Sequence, residues 1–298
     1  MRRPSPLPPP LASEPFTVGT AAALGVSRRR TRANDLSTPF RGVRSAGTAD
    51  SVDALCHAYA VRMPETQYFS HATAAQLWGI PLPRRLETDP NLHVSAAPGS
   101  REPRMNGIRG HRGAGDAAVT RSGGLAVLSP SDSWCQVAML LTAEEAIAAG
   151  DRLLGWPEPL STTEELDAAI ARFGSRRGAR VIDRARPRLR ARSASPRETR
   201  LRLLTLHAGF PEPELNGPIM LTAGWTTHGD LVYRRYRVLL EYDGEQHRLD
   251  GRQYDTDVRR LNDLSEDGWI VIRVGRNTAD VEVIARLDRA LRSRGWRG

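Results

Sequence analysis

Apolar positions along this 298-residue chain recur with two periods, and the switch between them marks out its elements. The C-terminal third reads most clearly. "SPRETRLRLLTLHAGFP" predicts a helix with Ser195 as cap, Pro196 in the first turn and Gly209 as stop. "ELNGPIML", "HGDLVYR" and "YRVLLEYDG" predict strands, the third being the most apolar. "GRQYDTDVRRLNDLSEDG" predicts a helix closed by Gly268, "WIVIRV" a buried strand, and "ADVEVIARLDRALRSR" a last helix. The order is α-β-β-β-α-β-α, with an antiparallel opening and a crossover helix to the final strand.

Upstream the pattern is less regular. Residues 1–13, "MRRPSPLPPPLAS", predict a disordered leader. Thr17 caps an expected helix to about Leu24, Gly25 makes a turn, and Ser27 caps an expected second helix to about Leu36. With "FRGVR" as a short wing strand, this is the layout of a winged helix-turn-helix. Its second helix would open with Arg28, Arg29, Arg30 and then Arg32, which makes them the candidate DNA contacts; a helical hairpin with a charged face is the plainer reading. Helices and short strands then alternate through "FSHATAAQLWGIPLP", "NLHVSAA", "GIRGHRG", "LAVLSPSDSWCQVAMLL", "TAEEAIAAGDRLLG" and "TTEELDAAIARFG". His71, His93 and His111 are scattered without ligand spacing and read as structural. The expected class is α/β in the broad sense, a multi-domain α+β chain. Its expected parts are a leader (1–13), a winged helix-turn-helix (14–60), an α+β middle domain (61–175), a basic linker helix (176–194) and the αβββαβα domain (195–298).

Charge adds a partner. The net charge is +9, and all 43 basic residues are arginine. Residues 1–44 and 172–195 are basic blocks that flank an acidic middle, the footprint of a polyanion such as nucleic acid, or of a solvated Arg-rich surface. Any chemistry that needs a lysine is unavailable. Cys56 and Cys135 lie far apart and read as buried small hydrophobes in a reducing cytoplasm. No apolar run approaches a membrane span.

The apolar strand at 238–243 ends in acids, continuing as "EYDGEQHR". Leu239, Glu241 and Asp243 alternate onto one face, and a hairpin through Arg234–Arg235 brings Asp230 beside Glu241. Crowded carboxylates need a cation, a proton or an arginine between them, so the row reads as a divalent-cation site with Asp230, Glu241 and Asp243 as ligands. Each has a plainer role: Asp230 as a turn residue, Glu241 in a surface ion pair, Asp243-Gly244 as a turn. Glu198, three residues after Ser195, has capping-box spacing. Asp257, Arg259 and Arg260 read as ion pairs or phosphate contacts.

"SPRETRLRLL", the "GDL" strand, "EYDGEQHR", "DVRRLNDL" and "GWIVIRV" fall in the order and spacing of domain-of-unknown-function family 559. Residues 195–276 resemble that family, which is related to very-short-patch-repair endonucleases in the PD-(D/E)xK superfamily. Residues 14–155 resemble, through vaguer motifs, the AbiEi-type antitoxins of type IV toxin–antitoxin systems. The first resemblance implies a restriction-endonuclease-like domain and a Mg²⁺- or Mn²⁺-dependent DNA endonuclease. Asp230 would then be the motif aspartate, Glu241 the first position of (D/E)xK, and Glu198 the acid of the first helix. Asp243 stands where the superfamily has lysine, so His247 would act as general base or polarise the attacking water, and Gln246 would position it. The second implies a DNA-binding regulator or antitoxin whose nuclease-like chemistry has decayed, with a cognate toxin as partner. A third reading, a protein whose basic blocks meet an acidic partner, rests on charge alone.

Overall fold

The computed structural model describes residues 4–243 and 251–298, with the backbone alone for 251–255. It is a mixed α+β chain of two compact units: residues 1–142 with 163–182, and residues 143–162 with 183–298. Among the described residues no helix is long and apolar enough to cross a membrane.

In the first unit α1 (Pro9–Ser13) comes before β1 (Phe16–Thr17) and α2 (Val18–Ala23). The leader is therefore not structureless from residue 4 onward. Leu11 is buried with Phe16 and Ala21, and a proline-rich composition does not reveal that this one leucine has apolar partners. Thr17 caps α2 by accepting from Thr20 N at 3.0 Å, and Gly25 turns the chain at φ +76°. The expected Ser27-capped helix does not follow. Ser27 Oγ accepts from Arg30 N at 3.2 Å, but the helical structure there is one 3-10 turn, Arg30–Arg32. Between Arg28 and Leu36 only Thr31 is buried, so no apolar stripe holds a helix against a core. The helix-turn-helix thus lacks its second helix. Within "FRGVR", β2 (Val43–Arg44) pairs antiparallel with β1.

Next come α3 (Val52–Ala60), β3 (Gln67–Phe69), α4 (His71–Leu77), α5 (Arg84–Glu87), β4 (Leu92–Ala96), β5 (Ile108–Arg112), β6 (Val119–Ser122), β7 (Leu125–Leu128) and α6 (Pro130–Ala138). The five-stranded sheet runs β5-β4-β3-β7-β6, with β4 parallel to β5 and antiparallel to β3. Phe40, Val43, Cys56 and Tyr59 share one buried cluster with Phe69, Val94 and Val127. That shared core is why the expected boundary at residue 60 disappears. The chain then gives α7 (Ala143–Leu153) to the second unit and returns with α8 (Thr163–Phe173), and α9 (Ala179–Ala185) spans the boundary.

The second unit continues with α10 (Pro196–His207), β8 (Glu214–Met220), β9 (Thr226–Tyr233), β10 (Val238–Asp243), α11 (Gly251–Glu266), β11 (Ile270–Gly275) and α12 (Asp280–Ser293), the order the sequence predicts. Its sheet runs β11-β10-β9-β8, with only the β10–β11 pair parallel. Strand alternation splits the apolar residues between two faces. Leu231, Leu240 and Ile272 pack with Leu201, Leu287 and Leu291, whereas Val232 and Leu239 pack with Leu264 of α11. Leu239 and Leu240 are fully buried, each contributing about 2 kcal/mol, and they fix the register that sets the acids beyond them.

Candidate functional site

Asp230 lies within β9, which starts earlier than expected, at Thr226. The antiparallel register pairs Leu239 with Val232 and Leu240 with Leu231, so Glu241 and Asp230 follow as cross-strand neighbours. Glu241 continues the face of Leu239, and Arg260 of α11, which packs against that face, reaches it. Gly229, just before the acid, leaves room for Leu239: a Cβ there would meet Leu239 Cδ1 at 2.2 Å and force that buried side chain to move. Among the described residues Asp230 accepts one hydrogen bond, from Tyr242 N to Oδ2 at 2.7 Å. Burial pushes its pKa up to about 7. The charges of Glu198 and Glu241 push the same way, and the Tyr242 amide and Arg260 oppose them.

The other acids already have partners. Arg260 grips Glu241 with both terminal nitrogens while its Nε donates to Thr227 Oγ1 at 2.7 Å and Nη2 to His228 O at 2.7 Å. Asp243 pairs with Arg273 at 2.9 Å. A cavity of about 90 Å³ lies among Glu241, Asp243, Asp257, Arg260 and Arg273. Glu198 is buried at the capping-box position: its N–H bonds Ser195 Oγ at 3.2 Å as expected, while its carboxylate accepts at Oε1 from the Ser195 hydroxyl, at 2.9 Å. Its Oε2 accepts from Ala194 N and from Asn216 Nδ2. Glu198 is therefore first a structural acid that also acts on Asp230 through its charge. Gln246 and His247 lie outside the described residues.

Asp230 gives the unit a pH signature. A carboxyl whose folded pKa lies above the ordinary 3.8 stabilises the fold fully below about pH 4, and that stability is lost as pH rises through about 7. Asp230→Asn keeps an oxygen for the Tyr242 amide and removes the titration. Thermal melts from pH 5 to 8 should show wild type losing about 3 kcal/mol relative to the variant over that range. Parallel profiles would contradict the assignment.

Of the N-terminal arginines, Arg28, Arg29 and Arg32 are exposed. Arg30 is not available to a groove, because its two terminal nitrogens bind Asp35 at 2.9 and 2.8 Å.

The sequence reading missed a second cluster. His71 opens α4, His93 lies in β4 and His111 in β5. The parallel register places His111 opposite Ser95, two residues from His93. One ring nitrogen from each lies within 4.8 Å of the others, the one triad among the described residues with metal-ligand proximity. His111 Nε2 is 3.0 Å from His93 Nδ1, and the His71 and His111 rings stack at 3.9 Å. Burial, followed by the neighbouring imidazoles, lowers the pKa of His71 to about 3 and that of His111 to about 4. His93 is lowered too, mainly by burial, with Asp89 opposing. His71 holds φ +50°, a conformation that costs a non-glycine residue about 1 kcal/mol, and its N–H is tied to Gln136 Oε1 at 3.0 Å. The intervals of 22 and 18 residues hide this group in a linear reading; the signal was a histidine in each of two expected strands and one at the start of a helix, just after its Ser70 cap.

Two proteins of Mycobacterium tuberculosis are similar to this chain: "Uncharacterized protein MT2308" of strain CDC 1551 / Oshkosh and "Uncharacterized protein Rv2248" of strain ATCC 25618 / H37Rv. Each is 27% identical over 202 residues, which cover 68% of this chain and 72% of the relative. No protein-family model matches the chain, and no solved structure matches it.

Proposed function

We propose that the second unit hydrolyses phosphodiester bonds in DNA with Mg²⁺ or Mn²⁺ held by Asp230 and Glu241. One observation carries the reading. Two carboxylates follow the paired residues Leu231 and Leu240 at the end of a buried strand, and burial raises the pKa of one of them, Asp230, to about 7. The donor set fits a hard cation, since it offers carboxylate oxygens and leaves Asp230 Oδ1 without a hydrogen bond among the described residues. Such a cation, when bound, supplies water activation and charge stabilisation at the phosphate. The chain's own groups do the rest. The Tyr242 amide fixes the Asp230 carboxyl, and Arg260 orients Glu241 while adding positive charge beside the cavity. Arg260 cannot serve as a base, because a guanidinium stays protonated. The resemblance of residues 195–276 to family 559 supports the same chemistry and leaves the base to His247.

A second reading has its own support. Glu241 and Asp243 are already neutralised by Arg260 and Arg273, as in a DNA-binding regulator or antitoxin that no longer cuts. Cleavage of supercoiled plasmid in Mg²⁺ or Mn²⁺, wild type beside Glu241→Ala, separates the two. Cutting by wild type alone is expected. Equal cutting by both, or a gel shift that tolerates EDTA with no cutting by either, overturns the first reading.

The exposed arginines make a separate prediction. Replacing Arg28, Arg29 and Arg32 together by alanine should weaken DNA binding and flatten its salt dependence by about 0.9 in slope for each phosphate no longer neutralised. Arg30→Ala should act instead by releasing Asp35. An unchanged slope in the triple variant removes these residues from the interface.

A further inference from the structure

We propose that His71, His93 and His111 form a transition-ion site in the first unit, suited to Zn²⁺, with Asp89 as the carboxylate that orients it from behind. The site is independent of the carboxylate pair. Three elements supply one imidazole each, and their nitrogens already lie within 4.8 Å of one another. The outer nitrogens are held by other groups. His93 Nε2 is 3.3 Å from Asp89 Oδ2, and Asp89 is itself held by the Asn91 amide at 2.9 Å and by Arg109 at 3.2 Å. His71 Nδ1 is 3.0 Å from Ser70 Oγ, which accepts from Ser95 Oγ at 2.8 Å. These contacts point Nδ1 of His93 and Nε2 of His71 toward the shared space.

A carboxylate behind a ligating imidazole is the arrangement that fixes ring orientation and raises ligand basicity at metal centres. The 3.0 Å contact between His111 Nε2 and His93 Nδ1 needs one proton between two nitrogens. An ion takes that proton's place when His111 carries its proton on Nδ1 instead, so all three rings stay neutral. Nitrogen-only donors disfavour Mg²⁺ and Ca²⁺ and suit Zn²⁺, Co²⁺, Ni²⁺ and Cu²⁺. His93 is buried while His71 and His111 are partly exposed, so a fourth position faces outward for water or a small anion, the ligand count of open zinc sites.

The test is Co²⁺ titration of the full chain after EDTA treatment, followed by the visible bands of low-coordinate Co²⁺. Wild type should develop those bands to saturation at one equivalent, and Zn²⁺ should displace them. His111→Ala should lose the bands while melting in EDTA as wild type does; His71→Gln gives the same comparison if His111→Ala fails to fold. Asp89→Asn, which keeps all three ring nitrogens, should bind 10- to 100-fold more weakly. The low-coordinate bands should persist in Glu241→Ala, which keeps this result separate from the nuclease reading. No bands with wild type, or bands that survive in both histidine variants, would overturn the site.

Discussion

Glu241→Ala should slow plasmid nicking in Mg²⁺ by at least a hundredfold. Loss of one group that faces the charge developing at a reaction centre costs about 3 to 4 kcal/mol, and each 1.36 kcal/mol is a factor of ten in rate. Glu241 also neutralises a mostly buried arginine, so the alanine variant leaves Arg260 with hydrogen bonds to Thr227 and His228 and the weaker pull of Asp230 and Asp257 among the described residues. Glu241→Gln removes that ambiguity. The amide oxygen still accepts from Arg260, so the fold should survive, but the negative charge that attracts a cation is gone. Both variants should therefore be slow, and only Glu241→Ala should melt appreciably earlier. A glutamine variant that cuts at the wild-type rate would show that the carboxylate's charge is not used.

The largest expected loss of stability lies elsewhere. Asp151 and Arg202, with side chains 1% and 0% exposed, form an ion pair at 2.9 Å inside the second unit. Asp151 Oδ2 also accepts from Thr199 Oγ1 at 2.9 Å, and Oδ1 accepts from Arg190 N at 2.7 Å. Burial raises the Asp151 pKa while Arg202 pulls it back, so the charge depends on its partner. Asp151→Ala takes the close partner from a buried guanidinium, leaving it Glu212 at 3.6 Å and the Arg188 carbonyl, and should cost about 3 kcal/mol, a fall in Tm of order 10 °C. Among the described residues Arg202 Nε and Nη1 find no hydrogen-bond partner, and Nη1 has only the longer 3.6 Å ion pair with Glu212, so its desolvation is incompletely offset. The double change Asp151→Leu with Arg202→Met should then be less destabilising than either single change, and thermal melts of the three variants check this. Additive losses would mean the pair is not coupled.

Pattern reached some parts of this molecule and not others. The α-β-β-β-α-β-α order was legible because each strand is an apolar run and Gly209 and Gly268 close their helices at φ +85° and +75°. Ser195 and Glu198 were legible as a capping box because that motif is local. The neighbouring of Asp230 and Glu241 followed from counting outward from a short turn. The Ser27 helix was expected from its cap alone, and a cap without an apolar face does not hold a helix. Placing α7 with the second unit depends on Asp151 meeting Arg202, 51 residues away in sequence. Arg260 was legible as an ion-pair residue, but which acid it meets from the crossover helix, and that Arg273 of β11 meets Asp243, depend on the crossover, and the histidine cluster depends on the parallel β4–β5 register. Each of these is a nonlocal pairing.

The most direct measurement is calorimetric titration of Mn²⁺ into the His111→Ala chain, which removes the imidazole cluster as a competing site, with and without Glu241→Ala. Saturable binding that disappears with Glu241→Ala is the predicted result. Absence of binding in both chains, or equal binding in both, would contradict a cation held by Asp230 and Glu241.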